Sequence, residues 1–294
     1  MQYQEELKNL IPSKEFFAGI DSDGCVFDSM EVKQKEFFIP AALKFFRLFP
    51  IAKYVRETWE FVNLYSVHRG SNRFPALLKV FDLLSGRKEV MESGCRLPDL
   101  TALKKWVEKE SRLSNSSLRE FLQVHKDPYL ETVLQWSEEI NREIGKWLQH
   151  VPVFPTAKNT IGELAKVADL LIISQTPVEA LEREWEEHDM RKLVLKIAGQ
   201  EYGTKYEQIF YAAKNKYQQN KIIMIGDSIG DLNAAVQNKI LFFPVIPGFE
   251  EKSWKRFRDE GVKRFMKGTF EGKYQSSLLK EFIESLPSLP SWSV

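Results

Sequence analysis

At 294 residues, with 43% hydrophobic and 28% charged side chains, the chain has the composition of an ordinary folded protein and not of a disordered, collagenous or disulfide-scaffold one. The 42 Lys and Arg against 41 Asp and Glu leave a formal charge of +1, so no global basic field draws it to nucleic acid or an anionic membrane. Cys25 and Cys95 could form one bridge at most, no secretory leader is evident, and two prolines break the most apolar stretch, Leu241 to Phe249. The expectation is a cytoplasmic protein without a membrane span.

Taken in chain order, the first element is the apolar run Phe16 to Ile20, which reads as a buried strand ending in an acidic turn. From Met30 to Val151 no strand stands out. Helix-period segments fill the interval instead: Phe37 to Phe49, Ala52 to Tyr65, Arg73 to Leu84, Asp99 to Glu110, Ser117 to Val124 and Tyr129 to Gln149. Ser117 and Glu120 have capping-box spacing, and Trp59, Trp106, Trp136 and Trp147 fall at positions suited to a helical core. Phe154-Pro155-Thr156 leads into a helix from Thr160 to Val167. Four more short apolar runs follow: Leu170 to Ile173, Val194 to Ile197, Ile222 to Ile225 and Leu241 to Phe243. Helix-period segments at Val178 to Lys192, Lys205 to Gln219 and Asp231 to Asn238 separate them. Such alternation predicts an α/β fold with a doubly wound parallel sheet, whose ligands bind at the carboxyl ends of the strands. Two terminal helices, Glu250 to Met266 and Gln275 to Leu286, precede a Pro/Ser-rich tail that reads as frayed. The predicted organisation is an α/β core of residues 1–29 and 152–294, interrupted by a helical insertion of residues 30–151.

The chemistry is written at the strand ends. Asp21-Ser22-Asp23-Gly24 follows the first strand, and Gly24 eases a turn that brings both carboxylates to one cleft. One carboxylate can attack phosphorus while the other moves the proton. The fourth strand ends in Gly226-Asp227-Ser228-Ile229-Gly230-Asp231, a second acidic loop at the same expected edge. Crowded carboxylates need a cation, and Mg2+ suits hard oxygen ligands and phosphate. Ser174, after the second strand, offers a hydroxyl, and Lys205, at a helix start, an ammonium for a phosphoryl group.

In that order, Asp21-x-Asp23, Ser174, Lys205 and Gly226-Asp227-x-x-x-Asp231 resemble the signatures of the haloacid dehalogenase-like (HAD) hydrolase superfamily. The resemblance implies a Rossmann-like core with an inserted all-helical cap of the C1 type, and a Mg2+-dependent phosphatase acting through an aspartyl-phosphate. By that resemblance Asp21 is the nucleophile and Asp23 the acid/base. Ser174 and Lys205 hold the phosphoryl group, and Asp227 binds Mg2+ with Asp21 and the Asp23 backbone carbonyl. Asp231 either supports the metal site or pairs with Lys205. The dehalogenase branch lacks the second acidic residue, so Asp23 favours phosphate chemistry. Cys25 departs from the usual threonine or small aliphatic residue and reads as a small buried side chain.

Within the insertion, the polar break around His68, Arg69, Asn72 and Arg73 suits anion recognition, with Asn72 also placed to cap the next helix. The expected partner is a small phosphorylated metabolite, with neither nucleic acid nor membrane involved; the oligomeric state is open. A β-phosphoglucomutase-like phosphotransferase and a catalytically silent binding scaffold are the alternative functions.

Overall fold

The computed structural model describes residues 2–293. Five strands form one parallel sheet: β1 (Phe16–Ile20), β2 (Ala168–Ile173), β3 (Lys196–Ala198), β4 (Ile222–Gly226) and β5 (Leu241–Pro244), in the order β3-β2-β1-β4-β5. Every strand residue except Lys196 is buried, which is why these runs read as continuously apolar instead of alternating. Parallel neighbours need crossovers, and the helices Pro155–Leu164, Val178–Glu187, Lys205–Ala213 and Ile229–Asn238 lie in the intervals between strands.

The central strand positions the site. Ile20 is paired with Ile172 of β2 and Ile225 of β4, so the residues that follow these three strands emerge at one edge. The ladder continues past the strand ends, with Asp21 N donating to Ile225 O at 2.9 Å and Ser174 N donating to Ala198 O at 3.0 Å. Gly19 permits the close packing here, because a Cβ at that position would lie 2.4 Å from Ile173 Cδ1. Sheet order reverses direction at β1, the place where open α/β sheets bind ligands.

The chain divides into two compact units, Met1–Met30 with Gln149–Leu286, and Glu31–Leu148 with Pro287–Val294. The first contains the sheet. The second is helical, with Ala52–Leu64, Arg73–Ser85, Thr101–Lys109, Asn115–Val124 and Pro128–Trp147 among its helices. Its core includes aromatic contacts: Trp59 lies 5.9 Å from Trp136, Phe38 lies 5.9 Å from Trp136, and Phe74 meets Trp106 edge-on at 5.0 Å.

Several local expectations are corrected. Residues 287–292 of the tail are not frayed: they group with the helical unit, where the Trp292 ring meets Phe61 edge-on at 5.6 Å. Its Pro/Ser composition hid the one aromatic side chain that anchors it. Trp147 ends its helix 65% exposed, its indole donating to Glu143 at 3.0 Å, instead of joining the core. The capping box belongs to Ser114 with Ser117 at the third helical position, so the helix starts before Ser117. Two short helices, Gln2–Lys8 and Lys88–Glu92, carried too little apolar period to be read. Cys25 and Cys95 are both free thiols. Among the described residues, no helix is long and apolar enough to cross a membrane.

Candidate active site at the strand ends

Asp21 leaves β1 with its side chain 8% exposed. The turn behind it is tight: Ser22 O accepts from the backbone of Cys25, Val26 and Phe27, and Gly24 sits at φ 71°, a conformation that L side chains rarely adopt. Two buried tryptophans hold this turn from distant parts of the chain. Trp185 Nε1 donates to Ser22 Oγ at 3.0 Å and Trp254 Nε1 donates to Cys25 O at 2.7 Å. Cys25 itself is fully buried, and burial pushes its thiol well up, with the charges of Asp227 and Asp21 acting in the same direction. It remains a protonated packing residue.

Asp23 is oriented through both carboxylate oxygens. Ser29 Oγ donates to Oδ1 at 2.5 Å and Thr176 Oγ1 donates to Oδ2 at 2.8 Å. Thr176 belongs to the loop after β2, whose start is Ser174; Thr176 N donates to Ser174 Oγ at 3.2 Å. Gln208 clamps that loop to the end of β3, its Nε2 lying 3.0 Å from Ser174 O and 2.9 Å from Gly199 O.

Lys205 enters from the first turn of its helix, which begins at a complete capping box formed by Thr204 and Glu207. Its Nζ lies 2.7 Å from Asp21 Oδ2 and 2.6 Å from Asp231 Oδ1. Asp231 is in the first turn of the helix Ile229–Asn238 and not in an open loop. Its other oxygen, Oδ2, accepts from Ser228 Oγ at 2.6 Å and Ser228 N at 3.0 Å. Gly226 makes room for this arrangement, because a Cβ there would lie 2.4 Å from Asp231 Cγ.

Asp21, Asp227 and Asp231 are all buried, and each offers an oxygen within 4.8 Å of the others. Burial drives the Asp21 carboxyl well above its ordinary range; Asp231 and Asp227 add to the rise and Lys205 opposes it. For Lys205, burial alone would lower the ammonium pKa, but Asp21 and Asp231 outweigh it and the net shift is upward. Three buried carboxylates, each with an oxygen within reach of the others, form a hard-donor set that could hold a metal ion, with the Lys205 ammonium beside them.

The other sequence-singled residues belong to the helical unit. Asn72 caps the helix Arg73–Ser85, accepting from Phe74 N at 3.0 Å, and its Nδ2 donates to Leu113 O. Arg73 Nη1 donates to Ser137 O, Ser137 Oγ and Asn141 Oδ1 at 2.8–3.0 Å, over the Phe38 ring. Arg69 is 3% exposed, and its Nη1 donates to Leu64 O at 3.0 Å among its contacts. Burial lowers the His68 imidazole pKa, and Lys79 lowers it further.

Sequence reading missed Ser29, Thr176 and Gln208. Thr176 sits two residues beyond Ser174, so a polar strand-end loop was visible as a signal; Ser29 and Gln208 carried none.

Solved structures similar to this chain include a haloacid dehalogenase-like family protein from Streptococcus pneumoniae, at 14% identity and TM-score 0.43, over 82% of this chain and 90% of that one. A structure described as a predicted phosphatase from Clostridium acetobutylicum is 15% identical, with TM-score 0.45, over 85% and 100%. One described as a predicted phosphoglycolate phosphatase from Haemophilus somnus 129pt is 14% identical, with TM-score 0.41, over 82% and 93%. No curated protein sequence matches. The model of the family described as haloacid dehalogenase-like hydrolase matches residues 96–245, about half of the chain, taking in Ser174, Lys205, Asp227 and Asp231 and beginning after Asp21 and Asp23. With that match, the chain belongs to the haloacid dehalogenase-like hydrolase family.

Proposed function

We propose that the protein is a Mg2+-dependent phosphatase that hydrolyses a small phosphorylated metabolite through an aspartyl-phosphate on Asp21. The observation that carries this reading is the trio Asp21, Asp227 and Asp231, buried together at the strand ends with Lys205 bridging Asp21 and Asp231.

An Asp21 oxygen attacks phosphorus, and the bond from phosphorus to the ester oxygen breaks. Asp23, held by Ser29 and Thr176, gives its proton to the leaving alkoxide. It then takes a proton from the water that attacks phospho-Asp21, releasing inorganic phosphate and restoring both carboxyl groups. Ser174 and Lys205 steady the phosphoryl oxygens. Asp21, Asp227 and Asp231, with the Asp23 carbonyl, would hold Mg2+, which when bound supplies positive charge against the carboxylates and the phosphoryl group.

Substrate choice is assigned to the helical unit. Arg69 is its anion contact, while Asn72 donates to the Leu113 carbonyl and Arg73 to the Ser137 carbonyl and the Asn141 side chain. The test is phosphate release from a panel of phosphorylated metabolites with Mg2+. Release that disappears in Asp21→Asn supports the reading, and no release from any member by folded protein overturns it.

A further inference from the structure

The loop that carries Arg69 is held in part by its own hydrogen bonds. Ser66 Oγ donates to Val62 O at 2.9 Å and accepts from His68 N at 3.1 Å. Arg69 N donates to Ser66 O, and Ser71 N donates to His68 O, both at 3.0 Å, while Gly70 takes φ 73°. Val67 is different: its N–H donates to Pro287 O at 3.3 Å, across more than two hundred residues of chain.

The C-terminal segment that supplies this carbonyl is itself anchored. Pro290 is buried, and the Trp292 ring meets Phe61 edge-on at 5.6 Å. On the Arg87 side, the guanidinium lies 4.6 Å from the Trp292 ring centre and 4.8 Å from that of Tyr54. Arg87 is 6% exposed and pairs with Glu57 at 2.7 Å, so its planar cation is fixed between two rings. Phe61 lies in the last turn of the helix Ala52–Leu64, and its carbonyl accepts from Tyr65 N where the chain turns into the loop. Ring contact at Phe61 and backbone contact at Val67 therefore act on the same helix exit.

We propose that residues 287–292 are a positioning strap for the loop of residues 66–72, with Trp292 as its anchor; the strap's effect on substrate rests on the proposed role of Arg69. Trp292 acts through its ring and not its indole N–H, which is buried without a hydrogen-bond partner among the described residues. Phenylalanine should therefore replace it and alanine should not.

The experiment is amide hydrogen exchange over residues 62–72 in the full chain, for wild type, Trp292→Ala and Trp292→Phe, with a parallel kinetic series. In Trp292→Ala the exchange of Val67 and its neighbours should rise by about tenfold while the helices around Trp136 keep their protection. Trp292→Phe should exchange as wild type does. KM for the best metabolite should rise several-fold in Trp292→Ala with kcat nearly unchanged, and p-nitrophenyl phosphate, which carries no second anionic group, should show no such rise. Unchanged exchange in Trp292→Ala, or a rise spread evenly over the helical unit, overturns the strap. A local rise with KM unchanged supports the strap and removes Arg69 from the proposed function. If wild type releases no phosphate at all, the function fails and exchange alone still decides the strap. Should Trp292→Ala not fold, Trp292→Leu takes its place, with the same results deciding.

Discussion

Asp21, just past the end of β1, and Asp169, in the neighbouring β2, are buried carboxylates at the carboxyl and amino edges of one sheet, and they have opposite surroundings. Asp169, near the start of β2, accepts from Ser13 N, Ser13 Oγ, Lys14 N and Tyr217 Oη at 2.5–2.9 Å. Burial works to raise its pKa, but these donors outweigh burial and leave the carboxyl below its ordinary value. Asp21, beyond the end of β1, has Ser22 N and Lys205 Nζ as donors, yet burial pushes its carboxyl upward, and the charges of Asp231 and Asp227 add to the rise. The amino edge is satisfied and contributes stability, whereas the carboxyl edge keeps a charge conflict that an electrophile or a cation can relieve.

Breaking the carboxyl edge should have the largest effect. Asp21→Asn should lower phosphate release by about a thousandfold or more while the protein stays folded, measured by turnover beside circular dichroism. Chelation comes next: treatment with EDTA should abolish turnover and Mg2+ should restore it. Independently of activity, Mg2+ at a hundred times its Kd should stabilise the fold by about 2.7 kcal/mol, a thermal shift that Asp227→Asn should remove. If the shift is the same in Asp227→Asn, the metal assignment fails. Gly226→Ala places a methyl group 2.4 Å from Asp231 Cγ. It should cost about 1–3 kcal/mol and slow turnover as Asp231 moves from Lys205. Gly162→Ala, in a helix with nothing within 4 Å of the new Cβ, should stabilise by up to about 1 kcal/mol and leave turnover alone.

The smallest effect on activity belongs to the amino edge. Asp169→Asn should lower the melting temperature at neutral pH and spare turnover. The folded carboxyl sits below 3.8, so its stabilisation is complete above that value and is lost as pH falls through the depressed folded one. The melting curves of wild type and Asp169→Asn should therefore converge in strong acid; a gap that stays constant with pH would contradict this account.

The strands were legible because a doubly covered parallel sheet demands unbroken apolar runs, and the acidic loops because they directly follow those runs. Asp21, Ser174, Lys205 and Asp227 needed only the sheet order to be brought to one edge. What lay hidden depends on contacts between distant positions. Nothing local marks Ser29 or Gln208 as partners of Asp23 and Ser174, and nothing local shows that Ser137 and Asn141 accept from Arg73 Nη1. The tail was misread for the same reason, since composition cannot show that Trp292 has a ring and a guanidinium waiting for it.

The central place of β1 also sets an order of events during synthesis. Its hydrogen-bonding neighbours are β2 and β4, which begin at Ala168 and Ile222, so the first strand to emerge stays unpaired while the whole of residues 31–148 is made. At about 5–20 residues per second that is a wait of roughly 6–24 s. The intervening helices make contacts of shorter sequence separation, such as Phe38 with Trp136, than the pairing of Phe16 with Ala168, and should collapse within that time, before the sheet can close. A ribosome-bound chain stopped near residue 180 should therefore protect the helical segment from protease while Phe16–Ile20 remains open to chaperones.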